Sequence, residues 1–182
     1  IFNEYTVYAV IHLAAHVAVT TSVSNPLEDF EVNAIGTFNL LEATRESKQK
    51  PVFIYSSTNK VYGCMEDAEV IESDGAYYFK ALKHGVAETQ PLDFHSPYGC
   101  SKGSADQYVR DYNRIYGMPT VVLRQSCIYG ERQFGIEDQG WVAWFIIASI
   151  LGKQVSIYGD GKQVRDILFF DDLVSLYKIL ID

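Results

Sequence analysis

Apolar and polar positions along the chain follow two periods, and these set the expected elements. Residues 7–15, VYAVIHLAA, form an unbroken apolar run that ends in small residues, the pattern of a buried strand. Residues 25–47 carry a helical stripe, with Asn25 as N-cap and Pro26 at the first helical position. PVFIYSS at 51–57 is β-branched and aromatic, and predicts a second strand. Ser96 and Pro97 open a helix that runs to about Tyr116, where Gly117 and Pro119 stop it. TVVLRQS at 120–126 predicts a third strand, and WVAWFIIASIL at 141–151 a helix stopped by Gly152. Short strands near 154–157 and 167–170 follow, then a last helix capped by Asp171. Residues 63–96 are polar without a sustained period, and are expected to pass over the surface above a site.

Strands alternating with helices through connections of this length imply parallel pairing. The expected fold is therefore α/β, a doubly wound parallel sheet of Rossmann type, forming one partial domain over residues 1–182. Sheets of this kind bind ligands beyond the carboxyl ends of their strands. HLAAH, SSTNKVYG and RQSCIYG gather at those ends.

Composition narrows the function classes. Of 182 residues, 48% are apolar and 21% charged, so the chain can build a core. Fifteen basic against 23 acidic side chains give a net charge of −8, which argues against nucleic acid as a partner. Cys64, Cys100 and Cys127 are too few and too scattered for a disulfide framework, and suit a reducing cytoplasm. No ligand spacing for a metal site occurs among them and the four histidines. The 141–151 run is too short to cross a bilayer, so no membrane partner is expected. The chain opens on Ile1, with no signal peptide in view.

The candidate chemistry lies in HSPYGCSKGSADQYVRDY, residues 95–112. Tyr98 and Lys102 stand four apart on a helix and share one face. By itself that spacing reads more simply as an exposed polar pair. Its position changes the reading, because the preceding strand ends in Ser56, Ser57 and Thr58, any of which can offer a hydroxyl beside the phenol. A free tyrosine titrates near ~10. An ammonium ~4 Å away contributes about 4 kcal/mol of gross attraction for the phenolate at an effective dielectric near ~20. That amounts to up to ~3 pK units before desolvation opposes it, enough to make the phenol a working base. Hydroxyl, phenol and ammonium suit the oxidation of an alcohol, which requires a hydride acceptor such as a nicotinamide. The other candidates have plainer readings. His12 reads as a core or cofactor-flanking histidine, His16 takes no role, and Glu66, Asp67 and Glu69 form a solvated loop face.

Six ordered motifs, VIHLAA, VNAIGTFNLLEA, FIYSSTNKVYG, SPYGCSK, LRQSCIYG and IYGDGKQVRDILFFDDL, resemble the extended short-chain dehydrogenase/reductase family over nearly the whole chain. Its NAD-dependent members modify nucleotide-activated sugars. The resemblance implies Thr58, Tyr98 and Lys102 as catalytic residues, with Tyr98 the base and Lys102 also holding the nicotinamide ribose. It implies that Ala14 and Ala15 lie along the cofactor, that Cys127 packs beside the nicotinamide, and that Asn33 is largely structural. Arg165 matches an arginine that contacts substrate phosphate or ribose. Dehydratases of the family carry Thr-Asp-Glu where this chain has Thr58, Asn59 and Lys60. An amide and an ammonium cannot serve as that carboxylate pair, so epimerisation or simple oxidoreduction remains. Of these, the resemblance of SSTNKVYG, QPLDFHSPYGCSKG, RQSCIYGERQFG and EDQGWVAWF implies inversion at C2 of a CDP-sugar. A 4-epimerase or reductase of another nucleotide sugar, and a non-catalytic oligomerising module, are the alternatives.

The resemblance also sets expectations for the ends. The Gly-rich turn that grips the dinucleotide is absent from these residues, as is most of a C-terminal substrate region. The chain is expected to be a fragment, truncated before its first strands, with reduced NAD binding alone and an exposed sheet edge at 7–13. Homo-oligomers through the helices at 26–47 and 97–116 are expected from the family pattern.

Overall fold

The computed structural model describes residues 1–182. Three parallel strands form the central sheet in the order β1–β2–β5: β1 (Ala9–His12), β2 (Val52–Thr58) and β5 (Thr120–Gln125). Ala9 to His12 pair with Val52 to Tyr55, and Phe53 to Thr58 pair with Thr120 to Gln125. β1 is shorter than its apolar run because β2 partners it only that far. Its outer edge carries no strand, and Ile11 and Leu13 are exposed there.

Helices cover both faces, and the period-2 alternation of β2 decides which side chain meets which helix. Phe53 and Tyr55, both fully buried, point to one face and pack with Leu41, Ala105, Val109, Tyr112 and Met118. Those residues come from α3 (Gly36–Glu46), α4 (Ser96–Tyr116) and the turn after α4. Ile54 points to the other face and packs with Leu173 and Tyr177 of α6 (Phe170–Ile181). Each such side chain contributes roughly 1.5–3 kcal/mol on burial, so β2 is the spine of both layers.

The segment expected as one helix from 25 to 47 is built in three parts. α2 (Pro26–Phe30) starts at Asn25, whose side chain accepts the Glu28 N–H; a π-helical turn (Glu31–Ile35) follows, and then α3. The wide turn falls at Asn33, whose amide is bonded away from its own helix, as described below. A short helix α1 (Val19–Ser24), which no apolar period announced, precedes Asn25. At α4 the Ser96 hydroxyl accepts the Gly99 N–H, and Gly117, in the left-handed region, ends the helix.

Residues 63–96 are not without structure. They contain a hairpin of β3 (Val70–Ser73) and β4 (Ala76–Phe79), turned by Asp74 and Gly75 at φ 51° and 75°. Two successive positive φ values define the tight turn that matches strand twist, which Asp-Gly favours. After β5 the chain continues as β6 (Cys127–Tyr129), which pairs in parallel with β7 (Ile167–Phe169). α5 (Trp141–Ile150) lies between them in sequence. The strand expected at 154–157 does not form: Val155 and Ile157 are exposed, and no strand lies beside them to complete a ladder. Asp171 is not the cap of α6. It sits in the first turn with Asp172, where negative charge complements the helix dipole.

Candidate active site

β2 delivers Thr58 to its carboxyl end, and the first two turns of α4 deliver Tyr98 and Lys102 to the same place. All three are buried, at 7%, 9% and 3% exposure. The Tyr98 backbone N–H donates to Ser22 Oγ at 3.2 Å, so α1 fixes the start of α4. The Thr58 hydroxyl faces the Tyr98 phenol and also accepts the Lys60 N–H at 3.2 Å, which folds the chain away after the strand. Lys102 donates its ammonium to the Ser56 carbonyl and places it 4.3 Å from the centre of the Tyr55 ring.

The electrostatics differ from the sequence expectation. Burial pushes the Tyr98 phenol above its ordinary value; the Thr58 hydroxyl opposes this and the Asp29 carboxylate adds to it. The Lys102 ammonium is directed instead towards β2, at the Ser56 carbonyl and the Tyr55 ring. Burial draws Lys102 itself down to about 8, against the carboxylates of Asp106 and Asp29, which hold it up. His12 is drawn down to about 4, first by burial and then by the Lys102 charge, and shares a 2.9 Å hydrogen bond with the Thr37 hydroxyl. It is a neutral core histidine.

Asn33 ties three elements together. Its amide nitrogen donates to the His16 carbonyl, Asp29 Oδ1 and Ser101 Oγ at 3.1–3.2 Å, and its oxygen accepts the His16 N–H at 2.8 Å. The loop after β1 is thereby anchored beside Ser101, the neighbour of Lys102. Ala14 and Ala15 lie on that loop, the first exposed and the second half-buried.

Cys127 and Arg165 lie apart from the buried cluster. Cys127 is half-buried at the start of β6, and its sulfur accepts the Trp141 Nε1–H at 3.4 Å. Arg165 is exposed, and its guanidinium donates to the Val164 carbonyl. It lines a cleft of about 990 Å³ with Asn59, Tyr62, Arg124, Ser126 and residues of the β3–β4 hairpin. The cleft opens next to the end of β2, but Thr58, Tyr98 and Lys102 do not line it.

Sequence reasoning missed a buried ion pair behind the site. Asp106 is fully buried and accepts from Arg124 at 2.9 Å through both carboxylate oxygens. Ser57 Oγ donates to the same carboxylate at 2.8 Å, and Arg124 also donates to the Tyr62 phenol at 3.0 Å. Two signals were present: an arginine inside the apolar run TVVLRQS, and an acid four residues after Lys102 on one helix face.

A parallel sheet whose middle strand ends at a threonine, facing a buried Tyr–Lys pair on the next long helix, is the arrangement of the Rossmann-type short-chain dehydrogenases and reductases. The chain belongs to the NAD dependent epimerase/dehydratase family, whose profile it matches over residues 1–182. It is 50% identical to the CDP-paratose 2-epimerase of Salmonella typhi, over 97% of this chain and 54% of that protein. A putative UDP-glucose 4-epimerase of Methanocaldococcus jannaschii is 35% identical over 95% of this chain and 52% of that one. Among solved structures, the UDP-glucose 4-epimerase of Thermus thermophilus in complex with NAD superposes with a TM-score of 0.81 at 32% identity. That match covers 99% of this chain and 55% of the other. The chain thus spans about half the length of the relatives it matches.

Proposed function

We propose that this chain carries the catalytic segment of an NAD-dependent epimerase that inverts C2 of a CDP-activated sugar, converting CDP-paratose to CDP-tyvelose by transient oxidation. The observation that carries this reading is the buried meeting of Thr58, Tyr98 and Lys102 at the end of β2. Two further features support it. Asn59 and Lys60 stand where water elimination would need two carboxylates, and the sequence is half identical to a CDP-paratose 2-epimerase.

The residues present fit a dinucleotide at this place. Lys102 carries three ammonium protons and gives one to the Ser56 carbonyl, so it has donors left for ribose hydroxyls. Ala14 and Ala15 offer a backbone surface with small side chains beyond β1, and Cys127 stands at the start of β6, two residues after the end of β5. When bound, NAD supplies a reversible hydride acceptor and a positive charge beside the phenol. With its own proton lost to solvent beside that charge, Tyr98 as phenolate takes the proton from the sugar hydroxyl as it is oxidised, and returns it when the keto sugar is reduced on its other face. Thr58 donates to the reacting oxygen and holds it against Tyr98. Arg165 is the candidate for the substrate diphosphate, and residues 63–96 cover the cleft in which the sugar turns. The three unpaired cysteines are consistent with a cytoplasmic setting, and no helix is long and apolar enough to cross a membrane. In this reading copies of the chain associate through the surface of α2, α3 and α4, where Phe38 and Tyr108 stack edge to face in the open.

The test is incubation with NAD and CDP-paratose, following C2 inversion by proton NMR. Inversion with no net change in NADH supports the reading. Turnover of UDP-sugars alone overturns the substrate, and a calorimetric titration without heat at millimolar NAD overturns catalysis by this chain on its own.

A further inference from the structure

We propose that Asp106 is a positioning residue of this site, whose carboxylate keeps the Lys102 ammonium charged inside the protein and locks the end of β2 against α4. The inference rests on the catalytic reading of Lys102 given above, and it begins from geometry. Asp106 lies one helical turn beyond Lys102 on the same face of α4, with no exposure to solvent. Its two oxygens accept four hydrogen bonds from three different elements. Arg124 on β5 supplies two, Ser57 on β2 supplies one and Gln107 on α4 supplies the last.

The consequence for the site runs along β2. Ser57 stands between Ser56, whose carbonyl accepts the Lys102 ammonium, and Thr58, whose hydroxyl faces Tyr98. Anchoring the Ser57 side chain to Asp106 therefore sets the positions of both neighbours relative to α4. The Ser57 hydroxyl, one of three in the SST run, is spent on this anchor and is not available to substrate.

The charge acts separately. A lysine at 3% exposure loses its proton readily unless negative charge stands near it. The titratable and charged groups facing Lys102 are Asp106 on α4, Asp29 on α2, Tyr55 on β2 and His12 on β1. His12 is neutral and Tyr55 is protonated at neutral pH, so Asp106 and Asp29 are the negative charges beside the ammonium. Arg124 compensates part of the Asp106 charge, and the balance between the two sets the field at Lys102.

The experiment follows Lys102 directly, by NMR of lysine labelled at the ε-carbon, with Lys102→Met identifying the resonance. In Asp106→Asn the midpoint of Lys102 is expected to fall by about one pH unit relative to the unsubstituted protein. In Arg124→Gln, which leaves the carboxylate uncompensated, it is expected to rise. The alkaline limb of kcat moves with the midpoint in each variant, whereas a purely structural role would lower kcat and leave the limb in place. An unchanged midpoint in whichever variant folds overturns the inference. So does a Lys102 midpoint below neutrality in the unsubstituted protein, which needs no variant. If the midpoints shift as expected but no nucleotide sugar is turned over, the electrostatic inference stands and the epimerase reading fails.

Discussion

The Lys102 ammonium stands 4.3 Å from the centre of the Tyr55 ring, on the strand, not on the helix that carries Tyr98. A cation on a ring face is held by the ring quadrupole, with about 2 kcal/mol available when desolvated. The lysine is therefore a group of the β2 end, held there by the strand, and in the proposed reading it meets the ligand from that position. Lys102→Met removes a buried charge and leaves an apolar side chain of similar length. It is expected to abolish turnover while urea unfolding shows stability unchanged or higher, because burial costs the ammonium more than the Asp106 and Asp29 carboxylates return. Tyr98→Phe is expected to lower kcat by ~10²–10⁴, the usual loss on removing a general base, with stability changed by no more than about 1 kcal/mol. A Tyr98→Phe protein that retains most of its kcat would remove the phenol from the mechanism.

His12 gives the fold a specific acid sensitivity. Its folded-state value of about 4 lies below the ordinary 6.5, because burial and then the Lys102 charge disfavour the imidazolium. The unfolded chain therefore takes up this proton first as pH falls. The contribution is full above about 6.5 and is lost as pH falls from there towards 4, by up to about 3 kcal/mol. His12→Gln keeps a donor and acceptor for Thr37 and has no proton to gain. Urea denaturation at pH 7 and at pH 4.5 is expected to show a smaller acid loss in the variant than in the unsubstituted protein. Equal losses would mean that His12 does not stay neutral in the folded state.

The parts of the structure legible in sequence are those with local causes. β2 and α4 follow from an apolar aromatic run and from Ser96, Pro97 and Gly117 at the helix ends. Tyr98 and Lys102 were legible because their helix follows a strand ending in SST. α1 was not, since Val19–Ser24 has no apolar stripe and its one buried residue, Ser22, is there to bond the Tyr98 N–H across 76 positions of chain. The Asp106–Arg124 pair was hidden for the same reason: it exists only because β5 lies next to β2 beneath α4. The β3–β4 hairpin is a different case, since Asp74-Gly75 between VIES and AYYF is a turn signal within plain sight of the sequence. The direction of the Tyr98 shift depended on where the Lys102 side chain points, which spacing along a helix does not specify.

Gly63, after the 3₁₀ turn Asn59–Tyr62, holds two constraints at one residue. Its φ is +66°, and a Cβ placed there would lie 2.3 Å from the Asp93 carbonyl oxygen. The obstacle is backbone, fixed by the Asp93 N–H bond to the Val61 carbonyl at 3.0 Å, so it cannot swing aside as a side chain would. With ψ at −149° the residue lies in a region populated almost only by glycine, which costs a side chain roughly 1–3 kcal/mol, and the overlap costs roughly 1–3 more. Gly63→Ala is expected to lower stability by about 2–6 kcal/mol in denaturant melts. Gly75→Ala meets no atom within 4 Å and bears the strain alone, so it is expected to cost less. The reverse order would mean that the 59–63 turn is not held against Asp93.

The β3–β4 hairpin is fastened to the segment before β7 almost entirely by exposed polar groups. The Tyr77 phenol donates to Asp160 at 2.6 Å, Lys162 donates to Glu72 at 2.7 Å, and the Tyr77 N–H donates to the Lys162 carbonyl at 3.0 Å. The Asp160 carboxylate beside it holds the Tyr77 phenol above its ordinary value, and the same hydrogen bond holds Asp160 below its own. Both groups face water, so their attraction is screened and adds little to global stability. They are expected instead to set the local opening of the hairpin over the cleft that Arg165 lines. Lys162→Ala is expected to leave the urea midpoint in place, while amide exchange at Tyr77 and Phe79 speeds up severalfold and proteolysis within 74–86 becomes faster. Raising the salt concentration should do the same to the unsubstituted protein and have little further effect on the variant. A variant whose hairpin exchange is unchanged would show that the backbone bond from Tyr77, and not the charged contacts, keeps the cleft covered.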